Sequence, residues 1–354
     1  MKILLLLAAC TDKGRVYDSG DLPDTGIPPC GRIRGTDSVL MYQGAQGDDV
    51  HSPTEPPDAS AGGIAVAGPV GDDRTFMLLR AARIQTSADG GCNWEDAGAL
   101  AASEGWSFVV AGARVYAFDS LSEPPIGARS DDLGLSWATF STGENFIGVP
   151  TVDPADTNRL RGVQSRGIVT TSDGGDTFSV SGALPPAVTT GLDGAVSPTN
   201  LDTAALVGSN SAWITINGGT SWNDVRAGLP VDTEIPTLTV SGVAFSPAEA
   251  EVLWMLSETG DAERTISRTV DGGVNWARQV DTAAVALATD APLWPVDSTR
   301  VLSTYGTNPD DGASLYVIDA GAGTHTVTVQ TYAHIRAVAV APDRWVTAVD
   351  GIAD

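Results

Sequence analysis

Basic residues, histidine and cysteine are all scarce in this chain. Its 354 residues include 20 Lys and Arg against 44 Asp and Glu, which gives a formal charge of -24 at pH 7. Because phosphate recognition requires a basic surface, this balance argues against nucleic acid as a partner and against a polybasic contact with anionic lipid. The three His residues, His51, His325 and His334, lack the spacing of metal ligands, so we expect no zinc site and no cofactor.

The apolar run at the N-terminus, Ile3–Ala9, is too short for a membrane-spanning helix, which needs about 20 apolar residues. A basic Lys2, an apolar stretch and then small residues are typical of a secretory signal. The tetrapeptide Leu7-Ala8-Ala9-Cys10 resembles the lipobox of bacterial lipoproteins, in which the Cys carries the lipid at the mature N-terminus.

This resemblance implies a signal peptide over residues 1–9, lipidation at Cys10 and a lipid anchor in a membrane. Thr11 stands where an Asp is associated with inner-membrane retention, so the expected destination is the outer membrane or surface of a Gram-negative bacterium. An incidental Cys after a short apolar N-terminus, and a true start upstream, are the alternatives.

Residues 10–35 are rich in Asp, Gly and Pro and poor in apolar side chains, which predicts a flexible acidic tether. In an exported chain the compartment is oxidising, so Cys30 and Cys92 are expected to form a disulfide. Two free thiols are the alternative.

A repeated motif organises the rest of the chain. Five segments share the form [S/T]-x-[D/N]-x-G-x-x-[W/F], and their Asp or Asn positions recur at intervals of 41 to 54 residues. Five matches in nearly constant phase indicate a repeat architecture. The four defining positions of each segment are Ser87, Asp89, Gly91, Trp94; Ser130, Asp132, Gly134, Trp137; Thr171, Asp173, Gly175, Phe178; Thr215, Asn217, Gly219, Trp222; and Thr269, Asp271, Gly273, Trp276.

Each residue type in the motif suits a tight turn between strands. Gly takes the positive φ that such a turn requires, and the Asp, Asn, Ser or Thr side chain accepts hydrogen bonds from turn amides. The motif resembles the Asp-box, or BNR, repeat of β-propellers such as sialidases, sortilin-type domains, xyloglucanases and photosystem II assembly factors. The resemblance implies a structural role for these residues and not a catalytic one.

Short apolar runs with period-2 patterning surround each motif and predict an all-β fold of four-stranded antiparallel blades. The motifs give five blades, and Asp319 marks a degenerate sixth. A seventh begins at Ile335–Pro342 and Arg344–Val349, and because an open ring leaves an unpaired edge we expect residues from Thr36–Gln43 to complete it. The sequence thus predicts one β-propeller over residues 36–354 with seven blades, six being the alternative, and an exposed loop over residues 44–61.

No catalytic residue stands out from the sequence. Sialidases carry an Arg-Ile-Pro motif, whereas the nearest string here is Arg32-Ile33-Arg34-Gly35. A glycosidase needs two carboxylates at a defined separation, and 44 acidic residues single out no pair. We therefore expect a monomeric, non-catalytic propeller that binds a protein or glycan through one face of the ring. The alternative is a glycoside hydrolase of the sialidase or xyloglucanase kind.

Two further features leave alternatives open. We expect the five Trp residues outside the motifs to lie in the core between blades, and sugar-stacking platforms are the alternative. Trp294 is the best candidate for an exposed loop aromatic. The five are Trp106, Trp213, Trp254, Trp294 and Trp345. We expect acidic pairs such as Asp72-Asp73 to lie on the solvated surface, and a structural calcium site is the alternative.

Overall fold

Seven four-stranded antiparallel sheets form this protein, as described by a computed structural model. The structure describes residues 30, 32–43, 49–51, 63–185, 191–230, 238–259, 264–281, 292–305, 313–331, 333–341 and 344–351. Within these ranges the 3₁₀ turn Arg226–Gly228 is the one helical element, and no helix is long and apolar enough to cross a membrane. The predicted lipidation residue Cys10 lies outside the described residues.

The sheets are here called blades 1 to 7 in chain order. Blade 1 consists of β3 (Ile64–Ala67), β4 (Phe76–Arg80), β5 (Arg83–Ser87) and β6 (Glu95–Ala99); blade 2 of β7 (Trp106–Ala111), β8 (Arg114–Asp119), β9 (Ile126–Ser130) and β10 (Ala138–Ser141); blade 3 of β11 (Phe146–Asp153), β12 (Asp156–Gln164), β13 (Gly167–Thr171) and β14 (Ser179–Gly182); blade 4 of β15 (Gly191–Val196), β16 (Ala204–Gly208), β17 (Ser211–Thr215) and β18 (Asn223–Asp224); blade 5 of β19 (Leu238–Phe245), β20 (Leu253–Thr259), β21 (Arg264–Thr269) and β22 (Ala277–Asp281); blade 6 of β23 (Leu293–Pro295), β24 (Arg300–Tyr305), β25 (Ala313–Asp319) and β26 (Thr324–Thr331); and blade 7 of β27 (Ala333–Ala341), β28 (Arg344–Gly351), β1 (Val39–Gln43) and β2 (Asp49–His51).

Burial follows the position of a strand within its blade. Every residue of β16, the second strand of blade 4, is buried, whereas none is buried in β6, the outermost strand of blade 1. The strand β16 is covered on both faces by neighbouring blades and is a continuous apolar run, whereas β6 faces water and begins with Glu and Asp. The seven blades therefore bury their core between one another.

The ring closes by pairing the two ends of the chain. Strand β1 lies antiparallel to β28, with Val39 opposite Ala348 and Gln43 opposite Arg344. This pairing confirms that residues within 36–43 complete the seventh blade, and the six-blade alternative is wrong.

The predicted loop over residues 44–61 needs one correction. Residues 49–51 form β2, the outermost strand of blade 7, because β1 offers them an edge to pair with: Met41 lies opposite His51 and Gln43 opposite Asp49. This strand has only three residues, too few for an apolar alternation from which it could be predicted. The rest of the segment lies outside the described residues.

A disulfide joins Cys30 to Cys92, with 5.4 Å between their Cα atoms. Beside it, the Arg34 amide donates to the Cys92 carbonyl at 2.8 Å, the Trp94 amide donates to the Arg34 carbonyl at 2.9 Å, and Ile33 is fully buried. The end of the predicted tether over residues 10–35 is therefore packed on blade 1. A single buried Ile among polar residues gave too weak a signal to predict this packing.

Candidate functional site

The five repeated motifs form the turns between the third and fourth strands of blades 1 to 5. In blade 3, the Thr171 hydroxyl donates to Asp173 Oδ1 at 2.6 Å and accepts from the Gly175 amide at 3.2 Å. The same two hydrogen bonds recur in the other four motifs, in which Ser87, Ser130, Thr215 and Thr269 take the place of the Thr. The Ser or Thr hydroxyl thus links the Asp or Asn side chain to the turn backbone.

The Gly and aromatic positions of the motif complete the turn. Gly91, Gly134, Gly175, Gly219 and Gly273 take φ values between +82° and +103°, the region that favours glycine. The indoles of Trp94, Trp137 and Trp276 each donate to the carbonyl of their own motif Gly, at 2.8 to 3.1 Å.

Two aromatics contact the preceding blade instead. Trp222 donates to the Ala183 carbonyl at 2.8 Å. Phe178 has no N–H to donate, and its ring packs on Phe140 with 6.2 Å between the centroids. In blade 6, Asp319 accepts from the amides of Gly321 and Ala322, which forms the turn where the sixth motif is degenerate.

The residue before the aromatic is a further member of the motif that the sequence analysis missed. Its backbone amide donates to the Asp or Asn side chain in every motif, as Thr177 does to Asp173 Oδ1 at 3.0 Å. The Thr177 hydroxyl also donates to Asp173 Oδ2. A signal was present in the sequence, because all five of these residues are small and polar: Asn93, Ser136, Thr177, Ser221 and Asn275.

Arginines from the preceding blade also hold three of the turns, and the sequence analysis did not find them. Arg129 donates to the Gly174 carbonyl at 2.7 Å, Arg161 to Gly218 at 3.2 Å and the fully buried Arg344 to Gly90 at 3.1 Å. Arg129 lies on a third strand, whereas the other two lie on second strands, so no fixed spacing relates them to the motif.

The motif carboxylates are fully engaged within the turns. Hydrogen bonds from Thr171 and Thr177 hold the pKa of Asp173 far below its usual range, and bonds from Asn275 do the same for Asp271. A carboxylate stabilised in its ionised form is a poor general acid, so Asp173 and Asp271 are poorly suited to that role.

A cavity of about 650 Å³ lies where the innermost strands of all seven blades meet. We call it the axial cavity. Most of its lining side chains are apolar or aromatic, while polar atoms contribute about as much of its surface as apolar atoms do; the apolar and aromatic lining residues include Ile64, Trp106, Phe108, Val149, Val243, Leu293, Trp294 and Val338. Its size is in the range of small-molecule and side-chain binding sites.

Asp193, on β15, contributes a carboxylate to this wall. Its Oδ1 accepts from the Gly194 amide at 2.8 Å, and its Oδ2 accepts from the Val243 amide on β19 at 2.9 Å. The carboxylate thus bridges blades 4 and 5. Apart from its contact with the cavity it is surrounded by protein, and this burial raises its pKa to about 6.

Close approach of blade 3 helps to enclose Asp193. Gly148 on β11 has φ +74°, and a Cβ there would lie 1.9 Å from the Gly194 carbonyl oxygen and 2.8 Å from Asp193 Oδ1. Only glycine fits this position. On the same strand, the Thr151 hydroxyl donates to the Val196 carbonyl at 2.8 Å, which ties blades 3 and 4 together at the axis.

Among the described residues that line the axial cavity, Asp193 is the one carboxylate and Arg336, on β27, the other charged residue. A glycosidase pair is therefore not formed there by described residues. Nor does the described part of the chain contain a group of three or more His, Cys, Asp or Glu side chains that could hold a metal ion.

The Trp residues outside the motifs lie in the core or at the cavity. Trp254 and Trp345 are almost fully buried, Trp213 is half-buried, and Trp106 is buried at the cavity wall. The expectation that Trp294 is an exposed loop aromatic is wrong: it is half-buried in β23 and lines the cavity. The flanking Pro292 and Pro295 suggested a loop, but Pro is tolerated at the ends of a three-residue strand.

No family model and no curated protein sequence matches the chain, but solved structures do. An oligogalacturonate lyase from Vibrio parahaemolyticus is similar with a TM-score of 0.59 at 8% identity, over 89% of this chain and 98% of its own. A structure of YCF48 bound to D1 peptide is similar with a TM-score of 0.54 at 15% identity, over 90% and 99% of the two chains.

A GH74 xyloglucanase from Xanthomonas campestris is similar with a TM-score of 0.54 at 16% identity, over 73% of this chain. The match covers 45% of the enzyme, so this chain spans less than half of its length. Identities this low establish the fold alone. The chain is a seven-bladed β-propeller, with structural neighbours among both enzymes and binding proteins.

Replacing Asp173 by Ala is expected to lower the free energy of unfolding by about 1–2 kcal/mol, because the turn donors lose their acceptor. Urea unfolding of the full chain measures the change. Asp176→Ala is the matched control, since Asp176 lies in the same turn, is largely exposed and only pairs with Arg129; its loss should cost about 0.5 kcal/mol or less. A fully stable Asp173→Ala protein that had lost an activity would contradict the structural role.

Replacing Asp193 by Asn is expected to change how stability depends on pH. With its pKa raised to about 6, the folded chain keeps a proton on Asp193 that the unfolded chain has lost, so this stabilising contribution disappears as the pH rises through 6. Relative to Asp193→Asn, the free energy of unfolding of the unmodified chain should fall by roughly 2–3 kcal/mol between pH 4 and pH 7. Urea unfolding at each pH measures it, and a flat difference would show that Asp193 does not titrate in this range.

Proposed function

We propose that this protein is a non-catalytic binding propeller that engages a protein or glycan partner at the face of the ring where the axial cavity opens. One observation carries the proposal: the cavity is lined by aromatic and aliphatic side chains with a single carboxylate among its described lining residues. Apolar walls with few, well-placed polar groups are typical of binding sites.

We further propose that the five turns belong to the Asp-box repeat and that the chain is displayed at a bacterial surface through a lipid on Cys10. The hydrogen bonds shared by all five turns support the first assignment, and the lipobox-like Leu7–Cys10 supports the second. A lipid anchor on Cys10 would place the propeller outside the cytoplasm, where the Cys30–Cys92 disulfide is stable.

The comparison structures bear on the choice between binding and hydrolysis only through their architecture. YCF48 was solved with a peptide, and this chain covers 99% of its length, so a single propeller of this size is sufficient for binding in that protein. The xyloglucanase has more than twice the matched length. A glycoside hydrolase is therefore the second candidate, disfavoured because Asp193 is the one carboxylate among the described residues that line the cavity.

Filling the cavity is expected to abolish partner binding. Val149 is 48% exposed on the innermost strand of blade 3 and lines the cavity, so Val149→Trp adds bulk there without disturbing the core. Val180, 52% exposed on the outermost strand of the same blade, gives the matched control Val180→Trp. We expect at least a tenfold loss of cross-linked partner with the first variant and none with the second, measured by quantitative mass spectrometry on envelope extracts.

Unchanged partner capture by Val149→Trp would contradict the cavity as the binding site. The hydrolase alternative is tested with the same proteins, by measuring the release of reducing ends from xyloglucan. We expect none, and release that is lost in both Val149→Trp and Asp193→Asn would establish the enzyme instead.

A further inference from the structure

The carboxylate of Asp193 lacks a counter-charge within the described structure. Its hydrogen-bond donors are the two backbone amides of Gly194 and Val243, and no Lys or Arg of the described residues forms an ion pair with it. A largely buried carboxylate is costly to ionise without a cation nearby. A ligand that carries a positive charge would remove this cost.

A second polar group at the cavity also lacks a partner. The Oγ of Ser241, two residues before Val243 on β19, is a buried atom that makes no hydrogen bond to any described residue. Buried hydroxyls normally have a partner, supplied by protein, water or ligand. Because protein encloses the Ser241 Oγ, a ligand in the cavity would reach it only after the side chain rotates about χ1. With that rotation, Ser241 and Asp193 offer unused hydrogen-bonding capacity on the neighbouring blades 4 and 5.

We propose that the axial cavity binds an alkylammonium group, a primary amine on an aliphatic stem such as a lysine side chain, with Asp193 as its counter-ion and Ser241 as an additional acceptor. This inference rests on the proposed function, because it names the chemistry of the ligand that the cavity takes. The aliphatic and aromatic walls pack against the stem, and indole faces attract cations.

The geometry favours an ammonium over a guanidinium. Each oxygen of Asp193 already accepts one backbone amide, so a bidentate arginine would need the remaining lone pair of both oxygens at once. An ammonium is a compact charge with three donors that can be directed to separate acceptors. Asp193 and Ser241 provide such acceptors.

The remaining charges of the protein are compatible with a cationic ligand. Arg336 also lines the cavity, but it is exposed, lies on blade 7 across the ring and has an interaction of its own. The net charge of -24 attracts cations at long range and raises their association rate.

Binding of n-butylammonium to the full chain tests the inference, measured by isothermal titration calorimetry and saturation-transfer NMR. 1-Butanol is the neutral probe of the same length. We expect saturable binding of the amine, at least tenfold weaker binding of the alcohol, and at least a tenfold loss of amine affinity in Asp193→Asn. Asp176→Asn removes the same charge at an exposed site and should leave the affinity unchanged.

Ser241→Ala provides a variant whose folding is not in question, because the Ser241 hydroxyl makes no hydrogen bond to the described residues. It should weaken the amine about threefold and leave the thermal melting temperature unchanged. N-acetyl-lysine methylamide distinguishes the source of the amine: binding of both probes supports a lysine side chain of a partner protein, and binding of n-butylammonium alone supports a small free amine.

Equal affinities for amine and alcohol, with no effect of Asp193→Asn, would overturn the cation while leaving the cavity as a binding site. Absence of any amine binding would also overturn the inference. The proposed function is judged separately, by the effect of Val149→Trp on partner capture, which uses no amine.

Discussion

A ring of sheets is stable only if its two ends are joined, and in this propeller the pairing of β1 with β28 makes that joint. Without it, blade 7 would expose an open edge and blade 1 would lose the neighbour that covers its inner face. Three further features reinforce the joint: the buried Arg344 donates to Gly90, the Cys30–Cys92 disulfide fixes the chain just before β1, and Ile33 packs beside it. The axial cavity exists because the innermost strands are held in a closed circle.

The repeated turns extend the same principle around the ring. Their Asp and Asn side chains satisfy turn amides, while Arg129, Arg161 and Arg344 reach from one blade into the turn of the next. At three of the five turns, a feature that looks local in the sequence is thus part of the interface between two blades. Its carboxylates are held in the ionised form by hydrogen bonds within the turns, as in Asp173 and Asp271.

The sequence was sufficient for the architecture but not for the cavity. The spacing of the motifs and the short apolar runs predicted the blades, because each blade repeats the same turn and the same pattern of buried strands. The need to close the ring predicted that residues near Val39 complete the seventh blade. Strand β2 was missed, since three residues with one apolar side chain, Val50, are too few to show a pattern. Asp193, in Gly191–Val196, was also missed, because nothing in the sequence distinguishes it from the other acidic residues among the 44. Its burial at the axial cavity results from contacts among blades 3, 4 and 5. Trp294 was misplaced because its two flanking prolines suggested a loop.

We therefore propose that ligands bind at the axial cavity, whereas the repeated turns, here called the rim turns, serve stability. Amide NMR of the full chain, with and without n-butylammonium, tests this division most directly, because the Gly194 and Val243 amides donate to Asp193 while the Gly134 and Gly175 amides donate within rim turns. We predict saturable shifts of the Gly194 and Val243 amides and none of the Gly134 and Gly175 amides. Shifts confined to the rim turns would contradict this prediction.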